Sequence, residues 1–565
     1  MKKWFALLLA SLLAVSAVSC GNPGGQSSAP AESSKTEVSQ EASQSGEKSY
    51  VKIFDDVEYT TVIGTPAGDV LPDGQTVEDN LRTRLFHKQT GLVTKVTWSA
   101  SGEAYTQKLN MMIASGDLPD YFQVSYSQYM ALVKADLLAD LTEYYENDLD
   151  PAIKEVYASA DNADIKAVTR GGKIYGIPKA NGLGDSNPIL WMRKDWLDAL
   201  NLEEPKCIGD LEAIAKAFMA KDSGNYGLPI RPLFGAADGG TGSVADIFTN
   251  YGAFPGQWKV GDDGKVVYGS LTKETEQVLE MLNGWYKEGI IPTDFGSWTG
   301  DQYKQAVTSG KAGMCFGQWW LSWSYMTDTV VNDPNTVWTA YALPKEAGQD
   351  YVGGSPNAAC STIGVVSKKC KDPSMFIYAL NDIFASMKQP GYSDDIAEAA
   401  VVNNAYTPMT IFPLPADAII NTGLLATEYA AGKITLDQVA EKSFPSEAAY
   451  NQTMAKAAKV VADSANPYDS MEDWSNSMGY TIGMMAFHNS NANFVASDYS
   501  GITDTMQKKQ SFLDKLELEA FTKMIMGDTD GKTVAEYFDD FVQQYLAQGG
   551  QEITDEVQAE IDAAK

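Results

Sequence analysis

The sequence predicts an α/β protein with two or more lobes and a helix-rich C-terminal third. The chain has 565 residues, more than one ordinary hydrophobic core accommodates, and 44% of them are hydrophobic, enough to fill several cores. Strand and helix patterns alternate along the first two thirds, and helical patterns dominate from about Ile396 onward. We find no internal repeat.

The first α/β pattern follows a polar N-terminal region. A β-branched run at 59–64 predicts a strand, and the apolar spacing over 77–90 predicts an amphipathic helix. A strand at 92–98, a helix at 105–114 and an extended segment at 121–124 follow. This alternation is typical of a parallel sheet.

A second α/β pattern and the helical third complete the body. Further strands are expected at 172–178, 190–192 and 314–316. Further helices are expected at 195–200, 210–220, 273–288, 511–526 and 534–547, and the mostly helical last third has Ala-rich segments near 396–401 and 448–463.

The formal charge of −31 excludes several classes of partner. An acidic surface repels phosphate backbones, so no nucleic-acid partner is expected, and binding to anionic membrane surfaces is disfavoured. His87 and His488 are the only histidines, which excludes metal sites built from many His ligands. A Ser-His or Cys-His catalytic pair would have to use one of these two.

The N-terminus has the order of a secretory signal. Lys2 and Lys3 precede an apolar run at 4–18, which meets small residues and then Cys20. Residues 17–21 (AVSCG) resemble the bacterial lipobox, with Ala17 where Leu is commoner. The resemblance implies a signal peptide at 1–19, cleavage before Cys20 and diacylglycerol on its sulfur. The alternative is an ordinary secreted protein with a stray cysteine.

Residues 20–48 are predicted to form a flexible linker between this lipid and the body. They are rich in Gly, Ser, Gln and Glu and have no apolar period. Such a coil spans roughly 30 Å. No later stretch has the ~18–20 apolar residues of a spanning helix. We therefore expect the body to lie at the extracellular face of the cell membrane, anchored by lipid.

The remaining cysteines show no C-x-x-C spacing. In an exported protein one or two disulfides are possible, and buried free thiols are the alternative. The sequence leaves the choice open for Cys207, Cys315, Cys360 and Cys370.

Six motifs run in order through nearly the whole mature chain: LNMMIASGDLPD (109–120), GKIYGIPKANG (172–182), LWMRKDWLDALNL (190–202), YKEGIIPTDF (286–295), SGKAGMCFGQWW (309–320) and the C-terminal stretch 521–554. Their order and spacing resemble those of the extracellular solute-binding proteins of family 1. These are lipoprotein capture subunits of ABC importers, and the most similar subgroup handles oligosaccharides in Gram-positive bacteria.

The resemblance implies a two-lobed, periplasmic-binding-protein-like fold with crossing hinge segments and an interlobe cleft. Lobe 1 would comprise about 49–182 and 357–475, and lobe 2 about 183–356 and 476–565. The resemblance further implies a monomer that binds a carbohydrate, partners with ABC permease subunits, uses no cofactor and is not an enzyme.

Aromatic side chains are the first candidates for carbohydrate contact, because an indole or phenol ring covers the apolar face of a sugar. The family's Gly-x-Trp position, which holds a cleft aromatic, corresponds to Gly317-Gln318-Trp319. Trp320 is a further candidate, and Trp323 follows at W-W-x-x-W spacing. The alternative is that one or two of these rings belong to the core.

Polar and aromatic residues elsewhere complete the candidate set. Tyr126 and Gln128 follow the extended segment 121–124 and match the first lobe's cleft loop. Asn181 and Asp185 lie in a Gly-rich loop where the first hinge is expected, or in a solvated turn. Trp298 and Tyr499 are further candidate cleft aromatics, while Arg193 is expected to form a structural ion pair.

We predict no metal site. Many relatives carry a calcium-binding-like loop after the helix that here ends near Ala220, but residues 221–227 hold too few carboxylates for a six- to eight-oxygen cage. The run 528–531 resembles the opening of a calcium loop, yet its twelfth position is Asp539 and not Glu, so a helix-to-helix turn is expected. Calcium binding itself stays open.

Two other functions compete with sugar capture. One is a surface glycoside hydrolase with two carboxylates ~5–9.5 Å apart, which 74 acidic residues do not exclude. The other is a binding protein for a non-sugar solute such as a peptide or polyamine.

Overall fold

The structure is a computed structural model. It describes residues 52–66, 68–159, 163–179, 182, 184–185, 187–235, 240–354, 362–387, 389, 392–399, 401–411, 414–444, 447–499 and 501–564. The predicted signal peptide and linker, Cys20, Asn181 and Cys360 lie outside these residues.

The strands are β1 Val57–Thr65, β2 Leu92–Ser101, β3 Tyr121–Val124, β4 Thr169–Arg170, β5 Lys173–Ile174, β6 Ile177–Pro178, β7 Ile189–Arg193, β8 Trp258–Val260, β9 Val266–Tyr268, β10 Met314–Gly317, β11 Trp338–Tyr341, β12 Val352–Gly354, β13 Ile363–Val366 and β14 Asn493–Val495.

The helices are α1 Leu81–Thr90, α2 Gly102–Ser115, α3 Tyr126–Lys134, α4 Thr142–Asn147, α5 Pro151–Ala158, α6 Ala163–Ala167, α7 Lys194–Ala199, α8 Leu211–Lys221, α9 Ala245–Asn250, α10 Lys273–Lys287, α11 Gly300–Thr308, α12 Tyr325–Asn332, α13 Met375–Ser386, α14 Tyr392–Ala399, α15 Ala418–Ala430, α16 Leu436–Lys442, α17 Ala448–Asp463, α18 Met471–Ser477, α19 Met485–Asn489, α20 Asp504–Met526, α21 Val534–Tyr545 and α22 Gln551–Ala564.

The described residues divide into two compact units: unit 1 comprises those within Met1–Phe122 and Lys369–Thr410, and unit 2 those within Gln123–Lys368 and Ile411–Lys565. In unit 1, β1 and β2 pair in parallel, as the sequence predicts. Their sheet has two strands in the described residues, so β3 does not extend it, contrary to expectation.

Unit 2 contains a three-stranded antiparallel sheet in the order β10-β7-β11. All five residues of β7 are buried, as expected of a central strand covered on both faces. Arg193, at the end of β7, is also buried and holds Asp195 through two hydrogen bonds of 2.7 and 2.6 Å, which confirms the predicted ion pair.

Helix boundaries differ from the predicted ones where a capping residue decides them. The helix predicted over 77–90 begins only at Leu81, because the Asn80 side chain accepts hydrogen bonds from the backbone N–H groups of Arg82 and Thr83. The helix predicted over 511–526 begins at Asp504, where Thr503 provides a capping box, and it ends at Gly527 in the left-handed region.

The strand predicted over 172–178 is divided into β5 and β6, which belong to different sheets. The segment 528–531 lies between α20 and α21, which confirms the expected helix-to-helix turn.

Cys207, Cys315 and Cys370 are free thiols, so the disulfide alternative does not apply among these three. None of the helices in the described residues is long and apolar enough to cross a membrane.

Candidate ligand-binding site

Strand β10 delivers Trp319 to the interior of unit 2. Because Gly317 pairs with Ile189 of β7, the chain leaves the sheet directly before the tryptophans and turns into a 3₁₀ helix over Trp319–Trp323. Trp319 is only 4% exposed. Its ring centroid lies 5.0 Å from that of Trp323 and 4.7 Å from that of Tyr480.

A π-helical turn at Met478–Met484 covers this tryptophan. A Cβ atom added to Gly483 would lie 3.1 Å from the Trp319 Cβ and 3.2 Å from Cζ2 of Trp191, so a larger residue here would crowd both tryptophans. The neighbouring rings of Trp320 and Trp323 are partly exposed, and Trp323 Nε1 donates to Asn476 Oδ1 at 2.8 Å.

The structure brings two of the predicted site residues together here. The Trp319 indole Nε1 donates to Asp185 Oδ1 at 3.1 Å. Burial raises the pKa of Asp185, while the indole N–H and the charge of Lys179 act in the opposite direction. The ligand-contacting roles of Trp319, Trp320 and Asp185 stay predictions, and Asn181 lies outside the described residues.

A second group forms around Arg170, which no motif singled out. Its Nη2 donates to the hydroxyl of Tyr126, and its guanidinium lies 5.8 Å from the centroid of that ring. Gln128, two residues further along α3, accepts the backbone N–H of Ser125 at 3.0 Å in a capping box. Tyr126 is therefore oriented by Arg170, and Gln128 stabilises the start of α3.

Tyr499 belongs to the same group. Its hydroxyl donates to Glu560 Oε2 at 2.8 Å. Burial, followed by the charge and hydrogen bond of Glu560, raises the pKa of Tyr499, and Tyr126 and Arg170 also act on it electrostatically. Tyr126, Arg170, Tyr499 and Glu560 therefore form one polar cluster built from distant parts of the sequence.

Two adjoining pockets flank this cluster. The first, here called the Tyr499 pocket, has a volume of about 460 Å³, and its aromatic lining is Phe234, Trp258, Tyr268 and Tyr499. The second, the Arg170 pocket, also has a volume of about 460 Å³. Ile502 lines both, so the pockets are neighbours at this residue. Each volume falls in the range of small-molecule sites.

The remaining predicted aromatic lies elsewhere. Trp298 is 7% exposed, contacts Tyr226 edge-on at 5.7 Å between centroids, and lines neither pocket. A larger cavity of about 560 Å³ lies along β11 and α19, with Tyr341, Met485 and Asn489 among its walls. None of the predicted ligand-binding residues lines it.

Sequence reasoning missed Arg170, Glu560, Trp258 and Tyr480. Only Arg170 had a usable signal, since it is one of five arginines in the chain and precedes two glycines. The other three become neighbours of the site through tertiary contacts alone.

The described residues contain no group of three or more His, Cys, Asp or Glu side chains that could hold a metal ion. In the loop after α8, the Asp222 carboxylate accepts the backbone N–H of Gly224 at 3.1 Å, and the Asn225 amide donates to the carbonyl of Phe218. These side chains stabilise a turn.

Comparison with known proteins identifies the family. Residues 83–382, more than half of the chain, match the family of bacterial extracellular solute-binding proteins. Lipoprotein LipO of Bacillus subtilis is 29% identical over 239 residues, which cover 41% of this chain and 45% of LipO.

The fructooligosaccharide ABC transporter substrate-binding protein FusA of Streptococcus pneumoniae is 24% identical over 287 residues, covering 48% of this chain and 52% of FusA. The chain thus matches about half the length of these relatives.

Solved structures share the fold over most of the chain. The alginate-binding protein AlgQ2 aligns with a TM-score of 0.55 and 17% identity, covering 90% of this chain and 98% of AlgQ2. FusA with bound kestose aligns with a TM-score of 0.53, covering 90% and 99%. These likenesses confirm the predicted two-lobed, helix-rich α/β fold class. FusA and AlgQ2 are named as binding proteins and not as enzymes.

Proposed function

Since the chain belongs to the bacterial extracellular solute-binding proteins, we propose that it captures an oligosaccharide and delivers it to the permease subunits of an ABC importer. FusA is named for fructooligosaccharides and AlgQ2 for alginate, which supports a carbohydrate ligand. We further propose that the protein acts as a monomer without enzymatic activity.

The single observation that carries the carbohydrate proposal is the pair of adjoining pockets. Trp258, Tyr268 and Tyr499 supply flat apolar surfaces. The hydrogen-bonding groups at the same walls come from Gln507, Gln510, Arg170 and Glu560. Sugars require this combination, because each ring has an apolar face and a hydroxyl rim. The contacts predicted for Trp319, Trp320, Trp298, Gln128, Asn181 and Asp185 remain part of the proposal.

A thermal-shift screen of neutral and acidic oligosaccharides tests the proposal, followed by calorimetric titration of each compound that stabilises the protein. A ligand present at 100 times its Kd stabilises the folded state by about 2.7 kcal/mol. The same mixtures are assayed for new reducing ends. Saturable binding without products supports capture, whereas turnover supports the glycoside hydrolase alternative. Binding of peptides or polyamines in place of sugars would contradict the proposal.

Gln507→Ala provides a variant with little risk to folding, because Gln507 is exposed on α20 and lines the Arg170 pocket. We expect it to weaken sugar binding several-fold through a lost hydrogen bond to the ligand. Gln544→Ala, at an exposed position of α21 that lines neither pocket, is the matched control and should bind like the wild type.

We also propose that lipid on Cys20 anchors the protein at the extracellular face of the membrane. Radiolabelled palmitate should enter the wild-type protein in cells, and Cys20→Ala should abolish labelling and release the protein into the medium. A labelled Cys20→Ala protein would contradict this assignment. The predicted lobe boundaries, with a hinge near residues 181–187, are likewise proposed.

A further inference from the structure

The two adjoining pockets carry an excess of negative charge. Asp514 and Glu517 line the Tyr499 pocket, and none of its described lining residues is basic. The Arg170 pocket is lined by Asp504, Glu556 and Glu560 against Lys134 and Arg170. Five carboxylates and two cations give the combined lining a formal charge of −3.

Both cations of the lining are already engaged within the protein. Lys134 forms an ion pair with Asp504. Arg170 donates from Nη2 to the Tyr126 hydroxyl and from Nη1 to the backbone carbonyl of Thr169 at 2.7 Å. A carboxylate on a ligand would therefore compete with Asp504 for Lys134, and it would share Arg170 with the Tyr126 hydroxyl and the Thr169 carbonyl.

Three of the carboxylates, by contrast, accept hydrogen bonds from other groups of the protein. Glu560 accepts the Tyr499 hydroxyl, Glu556 accepts the backbone N–H and hydroxyl of Thr505 at 3.1 and 2.8 Å, and Glu517 accepts the hydroxyl of Ser270 at 2.8 Å. Glu560 is exposed and Glu556 is half-buried, so their oxygens retain lone pairs that suit sugar hydroxyls, and their charges repel anionic groups.

We infer that the ligand is a neutral oligosaccharide and that the site rejects chains of uronic acids. The inference rests on the proposed function, since it assumes that the sugar binds in these two pockets. The charge of the lining sets the selectivity: a hydroxyl donates to a carboxylate acceptor, whereas a ligand carboxylate faces several like charges at short range.

The test uses the full chain and a panel of probes of three to five sugar units: malto-, cello-, xylo-, galacto- and fructo-oligosaccharides as neutral members, oligogalacturonides and alginate oligomers as acidic ones. Each is titrated calorimetrically at 20 mM and 300 mM NaCl. Any neutral member with primary alcohols that binds is then oxidised at these alcohols to carboxylates, which yields an acidic ligand of matched length.

We expect neutral members to bind at least tenfold more tightly than acidic ones at low salt, a difference of about 1.4 kcal/mol. This difference in affinity should be smaller at 300 mM NaCl, because salt screens the repulsion between the ligand carboxylates and those of the lining. Glu560→Gln keeps an acceptor for the Tyr499 hydroxyl and removes one negative charge. It should therefore reduce the difference in affinity between the neutral ligand and its oxidised form. Glu441 is an exposed residue of α16 that lines neither pocket, so Glu441→Gln should leave this difference in affinity unchanged.

The outcomes separate this inference from the proposed function. An oligogalacturonide or alginate oligomer that binds as tightly as the neutral members, or a difference in affinity unaffected by salt and by Glu560→Gln, overturns the inference while sugar capture stands. If none of the probes binds, the proposed function and the inference fail together.

Discussion

Replacing Trp319 with alanine should mainly destabilise the protein, because the ring is packed inside unit 2. The ring contacts Trp323 and Tyr480, and its N–H is bonded to Asp185. Truncating a buried tryptophan to alanine costs about 3–5 kcal/mol through lost burial and the cavity left behind. Trp319→Phe keeps much of the packing but leaves Asp185 without the indole donor, a loss of about 1–3 kcal/mol.

The Asp185 carboxylate makes part of this loss pH-dependent. Without the indole N–H, the folded-state pKa of Asp185, already raised by burial, rises further. When the pKa of a carboxyl group is higher in the folded than in the unfolded state, the folded protein loses stability as the pH rises from the unfolded-state pKa to the folded-state pKa. The difference between Trp319→Phe and the wild type should therefore be larger at pH 8 than at pH 4.

Urea unfolding followed by circular dichroism at both pH values measures these differences, and calorimetry measures sugar binding in parallel. Asp185→Asn is the matched background, since its neutral amide oxygen still accepts the indole N–H. In the Asp185→Asn background, Trp319→Phe should lower the free energy of unfolding by a smaller amount, and that amount should not depend on pH. A Trp319→Ala variant that unfolds at the wild-type urea midpoint would refute the reasoning, because the ring would then contribute little to the packing of unit 2.

Three further predictions address other parts of the chain. Burial raises the pKa of Asp246, which accepts the Tyr351 hydroxyl, to about 7, so the folded state binds this proton more tightly than the unfolded state. As the pH rises from about 4 to 7, this group should lower the free energy of unfolding by up to about 1.4 kcal/mol per pH unit. Asp246→Asn should therefore reduce the dependence of stability on pH, as measured by thermal unfolding. Gly483→Ala should destabilise the protein by about 1–3 kcal/mol through overpacking against Trp319. In the same urea assay Gly284→Ala should stabilise α10 by up to about 1 kcal/mol, because nothing lies within 4 Å of the new Cβ. Tyr499→Phe loses the hydrogen bond to Glu560 and should weaken sugar binding several-fold with a thermal midpoint close to wild type; unchanged affinity would remove this hydroxyl from the site.

The sequence predicted most elements because their signals are local. The helix predicted over 273–288 is α10, Lys273–Lys287, since its apolar period and its flanking residues lie within one short window. The helices near Leu81 and Asp504 begin at other residues than predicted because single caps, Asn80 and Thr503, decide where the backbone N–H groups find partners. The place of β3 could not be predicted, because strand partners are chosen by contacts far apart in the sequence.

The candidate site shows the same division. The motif Gly317-Gln318-Trp319 identified the residue that follows β10, but its burial depends on a π-helical turn about 160 residues further along. Tyr126 and Tyr499 were selected separately for their chemistry. Nothing in either local sequence indicated that Arg170 and Glu560 would link them.

The sequence by itself determined the acidic character of the chain and predicted the family, the fold class and a secretion signal, because composition, periodicity and ordered motifs are properties of the chain alone. Only the tertiary structure decided which aromatic rings are covered, which cations are already engaged and which carboxylates line the pockets. The physical reason is that burial and charge pairing are long-range: they depend on which distant segments meet, and the free energy of a charge or a ring changes with those neighbours.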